Sequence, residues 1–336
     1  MSDIRIEHME FRYPGAAAPV LQQIDLQVRE GELLAVIGPS GGGKSTLLSL
    51  LAGLNRCTAG QITIGKKKPW ESGIRRAMVF QRPALFPWMT AQRNITFAIR
   101  QTRPQTPKKE AERQARIFLE LVGLGQEGRS YPNHMSGGMQ QRVALACALA
   151  TDAELLLFDE PFASLDHKNR LELQQLLAGL LRGSGSGPAV SPAADPLGQP
   201  AGLPGAGGQG PGGLPETALG GIAAPRPCRP KTAVFVTHDL DEALFLADRI
   251  AFLAEGKILC CLQVKEPRPR DRVEFLTSPD CCCLRRQLIR LFYGPAGTEK
   301  EPGLLQGAES FDPSFQNQGP AGGTGPKGGG CLGFFC

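Results

Sequence analysis

The sequence predicts an α/β fold with a mainly parallel core sheet, an N-terminal antiparallel β subdomain and a helical lobe. Residues 35–80 and 151–260 carry short apolar runs, which are typical of strands buried on both faces of a parallel sheet. Residues 3–34 alternate apolar and polar side chains, as half-buried antiparallel strands do. Lys108–Val122 and Ser136–Ala150 have helical spacing and are expected to form the lobe.

The first functional motif is GPSGGGKST at residues 38–46, which follows the apolar run Leu33–Ile37 and precedes a leucine-rich helix. In this strand–loop–helix context, G-x-x-x-x-G-K-S predicts a phosphate loop, because backbone N–H groups and the helix N-terminus together bind an anion. Lys44 is expected to neutralise the β- and γ-phosphates, and Ser45 to ligate Mg²⁺. The predicted ATP-binding residues of this loop are Gly38, Pro39, Ser40, Gly41, Gly42, Gly43, Lys44, Ser45 and Thr46.

A second motif, LLLFDE, predicts a buried strand that ends in Asp159 and Glu160. Neighbouring strand residues point to opposite faces, so the two carboxylates are expected to have different roles. Asp159 is suited to hold Mg²⁺, and Glu160 to polarise an attacking water beside the γ-phosphate. An acidic surface pair is the alternative for this segment taken alone, and the phosphate loop argues against it.

With SGG at Ser136–Gly138 and VTHD at 236–239, these motifs make the chain resemble the ATP-binding cassette (ABC) ATPases. In that family SGG opens a helix that faces the γ-phosphate of ATP held by a partner subunit. The residue chemistry agrees, because Ser136 is a good N-cap, and Gly137 and Gly138 permit close backbone approach. Met139 stands where Gln is commonest in the family. A capping turn without a ligand is the alternative for SGG taken alone.

The resemblance implies roles for four further residues. Gln81 corresponds to the glutamine that senses Mg²⁺ and the attacking water, and Asp166 to the loop that touches the partner subunit. His238 corresponds to the switch histidine at the γ-phosphate, and Tyr13 to the aromatic that stacks on adenine. An ordinary strand-to-turn tyrosine is the alternative for Tyr13. The expected catalytic residues are thus Glu160, His238, Gln81 and Lys44, and the expected Mg²⁺ ligands are Ser45, Gln81 and Asp159.

The predicted domain organisation is one ABC ATPase domain over residues 1–292, interrupted by a Gly/Pro-rich insertion at 183–230 and followed by a Gly-rich tail at 293–336. Both Gly-rich segments are expected to be disordered, because they contain too little apolar surface to fold. The insertion departs from the family, in which this connection is short. Only one phosphate loop is present, so the chain is expected to act as a dimer.

Composition excludes several other classes. The net charge of +5 comes without a dense Lys/Arg cluster, which argues against a nucleic-acid partner. Ten cysteines are too few for a disulfide scaffold, and a metal site at Cys260–Cys261 or Cys281–Cys283 stays an alternative. Neither a signal peptide nor a run of about 18 apolar residues occurs. The chain is therefore expected on the cytoplasmic face of the membrane, attached through a partner.

The segment VFQRPALFPWMTAQRNITF (79–97) and the C-terminal PRPRDR (267–272) resemble the importers of nitrate, aliphatic sulfonates and taurine. This resemblance implies an ATP-hydrolysing importer subunit with ATP and Mg²⁺ as cofactors. Its implied partners are a second copy, a permease docking near Phe86–Arg93, and indirectly an extracytoplasmic solute-binding protein. For Phe86 and Trp88, the alternative is that they cover the edge of the helical lobe.

Two other kinds of ABC protein are the alternatives. A non-transport ATPase acting on nucleic acid or ribosomes would carry long coiled coils or zinc modules within the cassette, or two cassettes. Here only about ninety residues separate Lys44 from Ser136, no heptad run occurs, and one cassette is present. A non-hydrolysing regulatory homologue would lack Glu160 or His238, and both are present. Solute specificity in the family lies in the permease and the binding protein, so the sequence does not name the solute.

Overall fold

The structure is a computed structural model that describes residues 3–151, 153–181 and 231–294. The predicted insertion at 183–230 and the predicted tail beyond Gly294 lie outside the described residues. The strands of the described part are β1 Ile4–Phe11, β2 Leu21–Val28, β3 Leu33–Ile37, β4 Ala59–Ile64, β5 Arg76–Val79, β6 Leu155–Asp159, β7 Thr232–Val236, β8 Arg249–Ala254 and β9 Lys257–Gln263. The helices there are α1 Lys44–Leu51, α2 Ala91–Thr102, α3 Lys108–Leu121, α4 Gly137–Ala150, α5 His167–Leu180, α6 Leu240–Leu246, α7 Arg272–Thr277 and α8 Pro279–Tyr293.

The core sheet has the strand order β5-β6-β7-β3-β8-β9. Its first five strands are parallel, and β9 pairs with β8 in the antiparallel sense. Every residue of β3, β6 and β7 is buried, as expected for central strands covered on both faces. The prediction of a mainly parallel core sheet is therefore confirmed.

A second sheet has the order β2-β1-β4 and is antiparallel throughout. The assignment of all of residues 35–80 to the core sheet is wrong at this point, because β4 pairs with β1 through Ile4–Ile64 and Ile6–Ile62. The burial of β4 shows why: Ile62 and Ile64 are buried on one face, and the residues before Ile62 are exposed. Such one-sided burial suits an antiparallel strand and not a central parallel one.

The helical lobe consists of α2, α3 and α4. Helices α3 and α4 match the predicted segments to within one residue. Helix α2 was not predicted, although Ala91, Ile95 and Ile99 form a buried stripe along it. The aromatic and polar residues around this stripe hid its helical spacing.

The core sheet separates two apolar clusters. Successive residues of β3 point to opposite faces, so Leu34 and Val36 enter one cluster, and Ala35 and Ile37 enter the other. The first cluster contains α1 and the antiparallel sheet, and the second contains the helical lobe, α5 and α6. Between these layers, the carboxyl ends of β3, β6 and β7 lie side by side, which is where ligands bind in parallel sheets. Among the described residues, no helix combines the length and apolar character needed to cross a bilayer.

Candidate active site

The predicted phosphate loop connects β3 to α1 and packs so tightly that two positions require glycine. Gly38 has φ +149°, and a Cβ there would lie 1.9 Å from the carbonyl oxygen of Leu253. Gly43, the N-cap of α1, has φ +98°, and a Cβ there would lie 2.6 Å from Cδ2 of Leu21. At Gly38 the clash is with backbone and excludes any side chain, and at Gly43 the positive φ is the main reason for glycine.

Lys44 lies beneath this loop and is largely buried. Its Nζ donates hydrogen bonds to the carbonyl oxygens of Gly38 (2.9 Å) and Pro39 (2.8 Å). Burial lowers the pKa of Lys44, while the nearby carboxylates of Glu160 and Asp159 act to raise it. The loop therefore holds a cation close to the two carboxylates at the end of β6.

Ser45 and Asp159 face each other across the site, and Ser45 Oγ donates a hydrogen bond to Asp159 Oδ1 at 3.0 Å. Burial raises the pKa of Asp159, and the neighbouring charge of Glu160 adds to this effect. The Ser45 hydrogen bond and the charge of Lys44 act in the opposite direction. A hydroxyl and a carboxylate oxygen in contact are hard donors that suit Mg²⁺, whose positive charge would offset the burial of the carboxylate.

No group of three or more His, Cys, Asp or Glu side chains in the described ranges is arranged to hold a metal ion. All described cysteines are free thiols, and the alternative of a cysteine metal site receives no support from their arrangement.

Glu160 lies immediately after β6 with φ +47°, a left-handed conformation that is uncommon outside glycine. Its N–H donates to Val236 O at 3.0 Å, which fixes this turn. Its carboxylate accepts a hydrogen bond from Gln81 Nε2 (3.0 Å) and lies 3.5 Å from His238 Nδ1. Glu160 is separated from Asp159 by this backbone turn, and the prediction that strand alternation separates them is wrong.

Tyr13 follows β1 and is 42% exposed. Its hydroxyl lies 3.2 Å from Thr46 Oγ1, within hydrogen-bond distance. The ring of Phe11 meets it edge to face, with centroids 4.8 Å apart. These two contacts hold an accessible aromatic face beside the phosphate loop.

Ser136 and Asp166 cap two other helices. Ser136 Oγ accepts from Met139 N (3.2 Å) at the start of α4, which confirms the predicted N-cap, and a side chain at Gly137 would meet open space. Asp166 Oδ1 accepts from Asn169 N (3.1 Å) at the start of α5, and these hydrogen bonds with Asn169 lower its pKa. Both side chains serve local caps, so the structure does not bring them into the cluster around Lys44.

The aromatic segment after Gln81 is a fixed loop and not an extension of α2. Asn94, buried in α2, accepts from Phe86 N (2.8 Å) and donates to the carbonyl oxygens of Phe86 (3.2 Å) and Met89 (3.2 Å). Trp88 is 67% exposed on this loop, and its ring centroid lies 5.4 Å from that of Phe86. Sequence reasoning missed Asn94, although a polar residue within the apolar stripe of α2 was a signal.

Two more polar side chains were missed. Gln141 of α4 is buried and donates from Nε2 to Phe80 O at 3.2 Å, which connects α4 to the residue before Gln81. Glu242 of α6 is buried and accepts a hydrogen bond from Thr237, the residue before His238. Both lie among apolar residues of a helix, which is the signal that could have found them.

Comparisons with known proteins agree on one family. The family model described as ABC transporter matches residues 21–163. The nitrate import ATP-binding protein NrtC of Synechocystis sp. is 33% identical over 93% of this chain and 41% of its own length. The bicarbonate transport ATP-binding protein CmpC of Synechococcus elongatus is 35% identical over 85% of this chain and 37% of its own length. The chain thus spans about two fifths of these two relatives.

Other relatives are covered almost completely. The aliphatic sulfonates import ATP-binding protein SsuB of Bacillus licheniformis is 34% identical over 86% of this chain and 93% of its own length. A solved ATP-binding cassette, dimeric and bound to ADP and Pi in a post-hydrolysis state, is similar with a TM-score of 0.60 and 26% identity. That match covers 78% of this chain and 99% of the solved one. It confirms the predicted fold class.

Proposed function

The chain belongs to the ABC transporter ATP-binding family, and on that premise we propose that it is the ATP-hydrolysing subunit of an importer. One observation supports this most directly. Lys44 and Ser45 of the phosphate loop share a site with Asp159, while the neighbouring Glu160 is held between Gln81 and His238. Phosphate binding, cation binding and a candidate general base therefore meet at one edge of the core sheet.

Nucleotide binding begins with an exchange of hydrogen bonds at Lys44. Its ammonium now donates to two backbone carbonyls, and phosphate oxygens are stronger acceptors for it because they are charged. The N-terminus of α1 adds its positive dipole end to the same position. Tyr13 offers its accessible ring to the adenine, in an orientation fixed by Phe11 and Thr46.

Hydrolysis requires a base that faces the attacking water. Glu160 accepts the proton of this water while the oxygen attacks the γ-phosphorus and the bond to the β-phosphate oxygen breaks. Gln81 and His238 hold the carboxylate and orient the water. Ser45 and Asp159, with Gln81, would bind Mg²⁺, which supplies positive charge to the phosphate oxygens.

A second copy completes the site. The chain has one phosphate loop, and the hydrogen bonds of Ser136 and Asp166 are made to the first turns of α4 and α5 and not to that loop. Gly137 and Gly138 follow Ser136 at the start of α4. A helix N-terminus with open space at Gly137 suits a phosphate supplied by another subunit. Two copies would therefore close around two ATP molecules and reopen when hydrolysis removes the shared contacts. The dimeric form of the solved relative supports this arrangement.

The membrane partner would bind at the loop Phe86–Thr90 and the start of α2. An exposed tryptophan on a loop fixed by Asn94 supplies a large apolar contact and lowers the cost of ordering the loop backbone at binding. This contact would hold the chain on the cytoplasmic face of the membrane, with a solute-binding protein acting on the far side. The relatives are named for nitrate, bicarbonate and aliphatic sulfonates, so a small oxyanion is the proposed class of solute.

The function is tested by purifying the full-length chain, tagged, from its own membranes. We expect ATPase activity that depends on Mg²⁺, together with a co-purified hydrophobic permease. Replacing Lys44 by Ala should abolish the activity and leave the permease bound. Co-purification of ribosomes or nucleic acid in place of a permease would favour the non-transport alternative, and Mg²⁺-dependent ATPase activity of the Lys44→Ala variant would contradict the proposed site.

A further inference from the structure

A buried chain of polar side chains connects the C-terminal helices to the residue before His238. It runs from Arg272 of α7 through Gln174 of α5 and Glu242 of α6 to Thr237, the residue that follows β7. Gln174, Glu242 and Thr237 are each at least 95% buried. Buried polar side chains are costly unless they are paired, so this chain is a specific arrangement and not incidental contact.

The hydrogen bonds of this chain all point towards Glu242. Arg272 Nη1 donates to Gln174 Oε1 (2.6 Å), and Gln174 Nε2 donates to Glu242 Oε1 (3.3 Å). From the other side, Asp239 N donates to Thr237 Oγ1 (3.0 Å), and the hydroxyl of Thr237 donates its only proton to Glu242 Oε2. The carboxylate therefore fixes the rotamer of Thr237 and the turn that follows it.

The position of Thr237 links this arrangement to His238. His238 is the next residue, and its Nδ1 lies 3.5 Å from the carboxylate of Glu160. Because His238 lies between Thr237 and Asp239, the hydrogen bond from Asp239 N to Thr237 Oγ1 fixes the backbone that places the imidazole beside Glu160. Among the described hydrogen bonds, Glu242 bonds to Thr237 and Gln174, and neither of these is one of the predicted ATP-binding or Mg²⁺-binding residues.

We propose that Glu242 is a positioning residue that sets His238 through Thr237, and that Arg272 extends this control to the C-terminal helices. The inference rests on the proposed function, since it concerns the same hydrolytic site. Helices α7 and α8 are joined to α6 by two further contacts, the guanidinium of Arg272 over the ring of Phe245 (4.9 Å) and the ion pair of Arg285 with Asp241 (2.6 Å). A shift of the C-terminal helices is therefore transmitted to α6 and its carboxylate.

The charges around Glu242 make this device sensitive to pH near neutrality. Burial raises the pKa of Glu242 to about 7, and the charge of Asp239 adds to the rise. The hydrogen bonds from Thr237 and Gln174 and the charge of Arg170 in α5 act to lower it. Arg272 faces it from α7, and on α6 Asp241 is paired with Arg285 of α8. A carboxylate accepts a hydrogen bond more strongly than a protonated carboxyl does, so the ionised form of Glu242 holds the Thr237 hydroxyl more firmly.

The test uses full-length protein labelled with ¹⁵N-histidine, which contains only four histidines. The His238 imidazole signal is assigned by its loss in His238→Ala. Glu242→Gln and Thr237→Val should both shift this signal in the absence of nucleotide. Thr237→Ser, which keeps the hydroxyl, and Glu172→Gln, an exposed carboxylate on α5, are the matched controls and should leave it in place.

Kinetics give the second readout. Glu242→Gln and Thr237→Val should lower kcat on the order of tenfold, the effect of one lost buried hydrogen bond, and leave KM for ATP unchanged because Glu242 does not touch the nucleotide. The ratio of wild-type kcat to that of Glu242→Gln should fall from pH 8 to pH 6. An unmoved His238 signal together with a normal kcat would overturn the inference, and so would an equal effect of Thr237→Val and Thr237→Ser.

The two proposals fail in different ways. If wild-type protein hydrolyses no ATP but the His238 signal moves as expected, the proposed function is wrong and the positioning role stands. If hydrolysis is normal but the signal and kcat of the variants match those of Glu172→Gln, the positioning role is wrong. If Glu242→Gln does not fold, the Thr237→Val and Thr237→Ser pair decides the question alone.

Discussion

Replacing Glu160 by Gln separates the role of this carboxylate as a base from its role in the local structure. The backbone hydrogen bond from Glu160 N to Val236 O survives the change. An amide oxygen can still accept from Gln81 Nε2, so the structural loss is limited to one contact with His238. That loss is worth about 1 kcal/mol, or roughly a fivefold effect on rate.

Loss of the general base has a much larger expected effect. The amide cannot accept the proton of the attacking water, and general-base catalysis contributes about 10²- to 10⁴-fold, or roughly 3 to 5 kcal/mol. We expect kcat at saturating ATP to fall by at least about a hundredfold, with ATP affinity retained and an ATP-bound dimer accumulating in size-exclusion chromatography. Glu172→Gln is the matched control. A fall of less than about tenfold would refute the assignment of Glu160 as the base, because the lost contact alone explains it.

The remaining predictions concern the partner loop, the insertion and a buried acid. Trp88→Ala should weaken permease binding by about 2 kcal/mol and leave the basal ATPase rate unchanged. Tyr293→Ala, which removes another exposed aromatic side chain, is the control and should change neither quantity. Loss of the basal ATPase rate with permease binding intact would favour a structural role for Trp88. Excising most of residues 184–228 should leave the ATPase rate unchanged and alter the free energy of unfolding by only about 1 kcal/mol, as measured by thermal melts. A large fall in ATPase rate or in stability that a Gly/Ser linker does not restore would show that the insertion packs on the domain. Burial raises the pKa of Glu242 from its ordinary value near 4.5 to about 7, so the folded chain retains a proton that the unfolded chain releases. Wild-type stability should therefore decrease relative to Glu242→Gln as pH rises from 5 to 7, and melting curves that diverge in the opposite direction would contradict this.

The ends of the insertion explain why its excision should be tolerated. Arg268 donates to Leu181 O, the last described residue before the insertion, and also to Gly31 O (3.3 Å). After the insertion, Thr232 Oγ1 accepts from Gly31 N at 3.0 Å. Both ends are therefore held to the same turn before β3 by bonds that do not involve the insertion.

The sequence was most informative where function depends on neighbouring residues. The phosphate loop was predictable because its glycines, Lys44 and Ser45 are contiguous and are flanked by a buried strand and an apolar helix. The sequence did not predict which sheet contains β4. Its pairing with β1 joins residues about sixty positions apart, and a local pattern does not identify a partner strand.

Within the site, too, the sequence did not predict contacts between residues that are distant along the chain. The family resemblance identified Glu160, Gln81 and His238. Their contacts depend on the left-handed backbone at Glu160, which the residue type does not predict. The chain from Arg272 to Thr237 joins four separate elements, so its members looked like ordinary polar residues. Buried polar residues on apolar helix faces, such as Asn94, Gln141 and Glu242, are the class of signal that sequence reasoning undervalued.

The division of the core by the central sheet provides a way to observe motion in this protein. Alternate residues of β3 and β6 enter different apolar clusters, so the NMR signals of neighbouring methyl groups depend on opposite sides of the core sheet. A displacement of the helical lobe changes the surroundings of Leu156 and leaves those of Leu155 and Leu157 intact. Methyl-labelled leucines along one strand thus provide two separate sets of NMR signals, one for each side of the sheet.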